Sequence, residues 1–113
     1  MRTVIETTPF LRAAAGVFTE VERTELVDYL AANPLAGDEI RGTGGVRKVR
    51  FATSSKGKSG GARVIYFVCG EETPVILLSC YAKNARANIS DAEVNAFAKL
   101  TTALKAHYRK RDQ

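Results

Sequence analysis

Basic side chains are concentrated in one stretch of this sequence, residues 41–63, which reads RGTGGVRKVRFATSSKGKSGGAR. The stretch holds seven lysines and arginines and no acidic residue: Arg41, Arg47, Lys48, Arg50, Lys56, Lys58 and Arg63. Because the whole chain carries a net charge of +5, the other residues carry a net charge of −2. Charge of one sign, on short strands joined by a glycine-rich loop, raises the local concentration of a polyanion. The sequence therefore predicts a site for RNA or DNA phosphates; a solvated basic loop without a function is the plainer alternative.

The side-chain types limit the chemistry that such a site can perform. His107 is the single histidine of the chain, which excludes a two-histidine nuclease, and no pair of carboxylates in the stretch suggests a metal-dependent phosphodiesterase. We predict no metal and no cofactor. Arginines can bind phosphoryl oxygens and stabilise charge that grows in a transition state. A lysine could take the proton of a ribose 2′-hydroxyl, which requires RNA, and Tyr66 and Tyr81 are candidate stacking or acid–base groups.

Two capping boxes predict where the longer helices begin. Thr19 and Glu22 have the spacing of the first box, and Ser90 and Glu93 have that of the second. The first of these helices should end before Pro34, and a shorter helix should precede it near residues 9–18. Two sets of residues are predicted to face the core: Val21, Leu26, Tyr29 and Leu30 on the first helix, and Ile89, Val94, Phe97, Leu100 and Leu104 on the last.

Four stretches have the composition of strands: residues 2–7, 46–52, 63–69 and 75–81. In the second, alternation predicts that Lys48 and Arg50 project from one face and Val49 from the other. Strands and helices in this order predict an α+β fold: a compact single domain, with an antiparallel sheet, an N-terminal strand, two N-terminal helices and a C-terminal helix.

The last two strands are predicted to pair as a hairpin about residues 70–73. In that register Cys69 faces Pro74, Cys80 faces Arg63 and Lys83 lies opposite Gly60. The two cysteines are then too far apart for a disulfide and are predicted to be reduced. Lys83 would emerge beside Arg63, so cations from several segments would converge at one end of the sheet.

The runs GTGGVRKVRFA, KGKSGGARVIYF and LLSCYAKNARANIS resemble bacterial type II toxins of the RelE/HigB superfamily, and the HigB-like branch in particular. The resemblance covers residues 39–100 and implies one toxin domain over residues 1–113, with a compact RelE/ParE-like fold. It also implies an endoribonuclease that cleaves mRNA, in most members in the ribosomal A site, and so inhibits translation. A cognate antitoxin, of the helix-turn-helix type, would neutralise it.

Carried over to this chain, the resemblance predicts the residues of the site. Those expected to act in catalysis are Lys48 and Arg50 on a strand, the phosphate-binding Arg63, and Lys83 after the last strand. Lys56 and Lys58 resemble an extension of the HigB-like branch toward RNA and are expected to bind it. Arg47, from the basic stretch, and Tyr81, as a stacking group, are also expected to bind RNA. RelE-like members often carry a tyrosine for acid–base work in the C-terminal segment, and the stretch NARANISDAEV has none. The group that protonates the leaving oxygen is therefore unassigned.

Two other functions fit the same residues. ParE-like members of the superfamily act on DNA gyrase, and a non-catalytic nucleic-acid-binding module would need only the basic surface. The presence of Lys48, Arg50 and Arg63 together favours the ribonuclease. No apolar run reaches the ~20 residues that a membrane span needs, and the chain is predicted to be cytoplasmic, with mRNA and the ribosome as partners and no membrane association.

Overall fold

The computed structural model describes residues 2–52, 61–86 and 88–111. Three helices and five strands follow one another along the chain in the following order: β1 (Val4–Glu6), α1 (Thr8–Ala14), α2 (Glu20–Ala32), β2 (Asp38–Glu39), β3 (Val46–Phe51), β4 (Ala62–Phe67), β5 (Val75–Ala82) and α3 (Asp91–Arg111). The predicted α+β fold is confirmed, and its last helix, α3, continues to Arg111.

The first capping box is present at the start of α2. The Thr19 hydroxyl accepts from the Glu22 N–H at 3.1 Å, and the Glu22 carboxylate accepts from the Thr19 N–H at 2.9 Å. This satisfied carboxylate is buried, and the positions four and eight residues on, Leu26 and Leu30, are fully buried on the same side of the helix. The prediction that Val21 faces the core is wrong, because Val21 lies outside this stripe and is 70% exposed. Tyr29 lies on the same side of the helix as Glu22 but is only partly covered: it is 40% exposed, and its ring centre is 6.1 Å from that of Phe51.

The five strands form one sheet in the order β1-β5-β4-β3-β2. The three pairs from β2 to β5 are antiparallel, as predicted, but β1 pairs with β5 in parallel. A parallel pair needs a long connection, and here the entire chain between the two strands supplies it. The two-residue strand β2 is too short to be recognised from composition.

A β-bulge changes the predicted register of the last hairpin. Near the turn Tyr66 pairs with Leu77, but Ile65 pairs with Ser79, so Leu78 is the extra residue on β5. Beyond it every partner shifts by one residue. Cys80 therefore faces Val64 instead of Arg63, and the Lys83 N–H donates to the Gly61 carbonyl at 3.1 Å, so Lys83 is not opposite Gly60. Both cysteines are free, as predicted, and burial raises the pKa of Cys80 to about 12.

The sheet separates two hydrophobic clusters. On one face α1 and α2 pack through Phe10, Leu26 and Leu30 against Val64 and Leu77. On the other face α3 covers a cluster that comprises Val46, Ile65, Phe67, Ile76, Leu78 and Tyr81, with Phe97, Leu104 and Tyr108 packed against it. The functional consequence lies in the alternation of each strand: every side chain of β3, β4 and β5 belongs either to the α1/α2 face or to the α3 face.

Helix α3 is fixed to the sheet by a pair of buried threonines. The Thr101 hydroxyl donates to the Thr43 carbonyl at 2.6 Å, and both residues are almost inaccessible to solvent. Gly44 has a φ of +78°, and a Cβ there would lie 2.7 Å from the Thr101 hydroxyl oxygen, so only glycine fits. Leu100, predicted to face the core, is 39% exposed because the helix presents Thr101 at this level instead. No helix in the described part of the chain is long and apolar enough to span a membrane.

Candidate functional site

Lys48, Arg50 and Arg63 project from the α3 face of the sheet. On β3, Val46 belongs to the cluster under α3 and Val49 to the opposite cluster, so alternation places Lys48 and Arg50 on the α3 face. On β4, Val64 belongs to the α1/α2 face, so Arg63 also lies on the α3 face. The predicted orientation of Lys48 and Arg50 is therefore confirmed, and the structure brings these three cations to one surface.

Arg50 and Arg63 are direct cross-strand partners. Directly opposite residues of antiparallel strands have Cα atoms about 4.5–5.5 Å apart, so the two guanidinium groups leave the sheet side by side. Like charges in this arrangement repel and destabilise the sheet. An anion bound between the two arginines would remove that repulsion, and a phosphodiester has the charge and the oxygen acceptors to do so.

Tyr81 extends the row by one strand. It is the cross-strand partner of Arg63 on β5, belongs to the cluster under α3 and is only 6% exposed. The guanidinium carbon of Arg86 lies 4.4 Å from the centre of its ring, a cation–π contact. Since Arg86 covers part of the ring, the tyrosine serves here as a platform for that cation.

Arg86 is held in this position by Glu93 on the first turn of α3. Its two terminal nitrogens donate to the two carboxylate oxygens at 2.7 and 3.0 Å, the bidentate geometry of a strong ion pair. Hydrogen bonding to Arg86, and then to the Ser90 backbone, lowers the pKa of Glu93 to about 2. The carboxylate is therefore ionised throughout the physiological range.

The segment from residue 83 to residue 90 closes one end of this surface. It begins at Lys83, whose exposed side chain stands in the turn after β5 and whose N–H is bonded to Gly61, two residues from Arg63. Near its other end, the Asn88 side-chain carbonyl accepts from the Lys48 ammonium group at 3.4 Å. The segment thus reaches β3 and β4 and brings Lys83 to the end of the sheet where Arg63 begins its strand.

Arg47 lies apart from this group. Alternation puts it on the α1/α2 face, where its guanidinium donates to the Gly37 carbonyl. Tyr66 is on the same face, is fully buried and accepts from the Gly37 N–H at 2.8 Å through its hydroxyl oxygen. Burial raises the pKa of Tyr66, and its inaccessibility removes it from the candidates for base stacking.

Lys56 and Lys58, predicted to bind RNA, lie outside the described residues. His107 is exposed on α3. The surface formed by Lys48, Arg50, Arg63, Lys83 and Arg86 is called the cationic face below.

Sequence reasoning missed Arg86, Asn88 and the second role of Glu93. The capping box that contains Glu93 was recognised, and it is present: the Glu93 N–H donates to the Ser90 hydroxyl at 3.2 Å, and the Ser90 N–H donates to Glu93 at 2.8 Å. Arg86 stands seven residues before Glu93 across an irregular segment. No periodic pattern connects two such positions, so only the folded chain reveals their contact.

A groove in the described residues lies elsewhere. It is lined by Arg2, Ile5, Pro34, Thr73, Pro74 and others, at the end of the sheet where β5 begins. Tyr81 lies seven residues along β5 from Pro74, which is about 23 Å at ~3.3 Å per residue. A binding site for an extended polyanion needs exposed cations more than it needs an enclosed pocket, so we place the site on the cationic face.

Two comparisons with known proteins agree with this geometry. A family model described as the RelE toxin of the RelE/RelB toxin–antitoxin system matches residues 9–111. Among solved structures, a mutant of the E. coli toxin RelE in the free state is similar, with a TM-score of 0.55 and 19% sequence identity. The match covers 88% of this chain and 96% of that chain. At this level of identity, the similarity between the two structures concerns the fold.

Proposed function

This chain belongs to the RelE family, the toxins of RelE/RelB toxin–antitoxin systems, and from that premise we propose that it is an endoribonuclease that cleaves mRNA. It is the toxin of a toxin–antitoxin pair, and its family implies a cognate antitoxin as partner. Cleavage on the ribosome, inhibition of translation as its result and an antitoxin of the helix-turn-helix type belong to the proposal. So does membership of the HigB-like branch, which the residue runs of the basic stretch support.

The observation that carries the proposal is the row formed by Arg50, Arg63 and Tyr81 across three neighbouring strands. Lys48 lies two residues from Arg50 on the same face, and Arg86 is stacked on Tyr81 at the other end of the row. Cations that come from β3, β4 and the segment after β5 meet on one surface. A purely structural domain has no use for a pair of arginines directly opposite each other, whereas a phosphate-binding enzyme does.

We assign roles to these residues from the chemistry of each side chain and from how firmly the structure holds it. Arg50 and Arg63 bind the non-bridging oxygens of the scissile phosphate and stabilise the extra charge of the transition state. Lys48 removes the proton of the ribose 2′-hydroxyl, since a regular strand and Asn88 hold it beside Arg50. Lys83, in a turn and exposed, contributes positive charge at the open end of the sheet.

The reaction is a transfer of the phosphoryl group within the RNA. The 2′-oxygen forms a bond to phosphorus, the bond between phosphorus and the 5′-oxygen breaks, and the 2′-hydroxyl proton passes to the base. The leaving oxygen takes up a proton, so the products are a 2′,3′-cyclic phosphate and a 5′-hydroxyl. Neither an oxidant nor another reactant is required.

The test is cleavage of a defined mRNA on purified ribosomes, with wild type and Arg50→Ala. Arg12→Ala serves as the matched control, because Arg12 is exposed on α1, on the other side of the sheet. We expect cleavage by the wild type and by Arg12→Ala, and a loss of about a hundredfold or more for Arg50→Ala. A wild-type protein that binds RNA without cutting it would instead be a binding module, and one that inhibits gyrase supercoiling would be ParE-like.

A further inference from the structure

The contacts of the Arg86 guanidinium with the described part of the chain use only some of its N–H donors. A guanidinium carries five N–H donors, and the two bonds to Glu93 use two of them. Stacking on Tyr81 uses the face of the group and no donor. Among the residues that the structure describes, three N–H groups are thus left for a ligand, beside the row that Arg63 and Tyr81 form.

The partner that fixes Arg86 is itself fixed. Glu93 stands in the first turn of the 21-residue helix α3, and its Oε1 atom accepts from both the Ser90 N–H and the Ser90 hydroxyl, at 2.8 and 3.1 Å. Helix α3 in turn is anchored to the sheet by the bond from Thr101 to Thr43. Through this chain of contacts, the sheet determines where the Glu93 carboxylate stands.

A carboxylate at this place is costly for a site that binds a polyanion, because it repels phosphate and cancels one of the cations. The cap of α3 does not require the charge, since glutamine fills the same capping position. The helix cap therefore does not explain why this position carries a negative charge. The same carboxylate also accepts the two hydrogen bonds from Arg86.

We propose that Glu93 is a positioning residue of the cationic face: it holds the Arg86 guanidinium on the Tyr81 ring, so that the remaining donors of Arg86 face the RNA phosphates bound along the row. The inference rests on the proposed ribonuclease function. Without the Glu93 carboxylate, the positive charge of Arg86 is no longer neutralised, but its guanidinium is no longer held in one orientation. Misplacement of a group that stabilises a transition state reduces rate more than binding.

The decisive variant is Glu93→Gln, which keeps the helix cap and removes the ion pair. In the ribosomal cleavage assay we expect the maximal rate to fall by about tenfold to a hundredfold. Affinity for RNA should stay the same or rise, because the change removes one negative charge. Damage to the fold would weaken both, and the midpoint of thermal unfolding provides the check. Glu25→Gln, at an exposed position of α2, is the control for the charge change and should cleave as the wild type does.

A double-variant cycle separates positioning from any structural role. If Glu93 acts through Arg86, then Glu93→Gln should have no further effect on cleavage once Arg86→Ala is present. Cleavage by Glu93→Gln at the wild-type rate overturns the inference, and so does a Glu93→Gln effect that persists undiminished in the Arg86→Ala background. A wild-type protein that does not cleave RNA overturns the proposed function and this inference with it, so the two failures are distinguishable.

Discussion

Replacement of Arg63 by alanine should separate the activity of this protein from its stability. Arg63 stands at the second residue of β4, half-buried, with Arg50 opposite on β3 and Tyr81 opposite on β5. Its backbone bonds within the sheet do not depend on the side chain. Removal of the guanidinium ends the repulsion with Arg50, and a like-charge pair on facing strands costs roughly 0.2–1 kcal/mol. Stability should therefore change by less than about 1 kcal/mol.

The effect of Arg63→Ala on cleavage should be much larger. Loss of one preorganised donor to a transition-state oxygen typically costs about 2.7–4 kcal/mol, or roughly a hundredfold to a thousandfold in rate. The measurements are ribosomal mRNA cleavage, growth after induction without antitoxin, and urea denaturation of the purified protein, with Arg12→Ala as control. A variant that folds as the wild type does and still arrests growth to the same extent would refute the role given to Arg63.

Three further predictions concern the loop, the helix anchor and the ion pair. The double variant Lys56→Ala/Lys58→Ala should bind RNA or ribosomes more weakly and with a flatter salt dependence, because phosphate contacts are lost, while the cleavage rate at saturating substrate changes little. A large fall in that rate with unchanged affinity would show that these lysines act in catalysis and not in binding. Thr101→Val should cost about 1–3 kcal/mol of unfolding free energy because the buried Thr43 carbonyl loses its donor. The control is Thr102→Val, at an exposed position whose hydroxyl donates to Ala98 of the same helix, and it should cost well under about 1 kcal/mol. Equal losses in the two variants would show that the bond from Thr101 to Thr43 does not anchor the helix. The pKa of Glu93 is lowered from 4.5 to about 2 in the folded protein, so its stabilising contribution is present above pH 4.5 and is lost as the pH falls towards 2. In an acid titration of unfolding free energy, the wild type should therefore lose more stability over that interval than Glu93→Gln. Parallel titration curves for the two proteins would be evidence against the ion pair.

The parts of the fold that local chemistry determines could be predicted from the sequence. Both capping boxes, at Thr19 and at Ser90, are present, because the bonds that define them join residues three apart. Strands β3, β4 and β5 follow from runs of β-branched and aromatic residues, and alternation alone places Lys48 and Arg50 on one face.

The features that were missed depend on contacts between distant segments. The parallel pairing of β1 with β5 joins residues about seventy positions apart, such as Val4 and Val75, and no local pattern encodes it. The bulge at Leu78 shifts the register of the hairpin by one residue, and a simple hairpin count cannot include it. Val21 was assigned to the core by hydrophobicity, although the cap turns Glu22 inward and leaves Val21 in solvent.

On the cationic face, too, some features could be predicted from the sequence and others depend on contacts between distant segments. The convergence of cations at one end of the sheet could be predicted from the sequence, whereas the direct pairing of Arg50 with Arg63 is seen only in the structure. Arg47 was included with them by composition, although the pleat sends it to the opposite face. Arg86 was overlooked because its place depends on stacking against Tyr81 and pairing with Glu93, and both contacts exist only in the folded chain.

In the proposed mechanism the ribose 2′-hydroxyl is the nucleophile, and the cationic face stabilises its attack. The most direct measurement uses an mRNA with one 2′-deoxyribose on the 5′ side of the scissile phosphate, bound to purified ribosomes, beside the all-ribose message. We expect the all-ribose message to be cut to a 2′,3′-cyclic phosphate and a 5′-hydroxyl, and the substituted message to be bound with similar affinity but to stay intact at that bond. Cleavage of the substituted message at the same bond would show that water is the nucleophile and would refute the proposed mechanism.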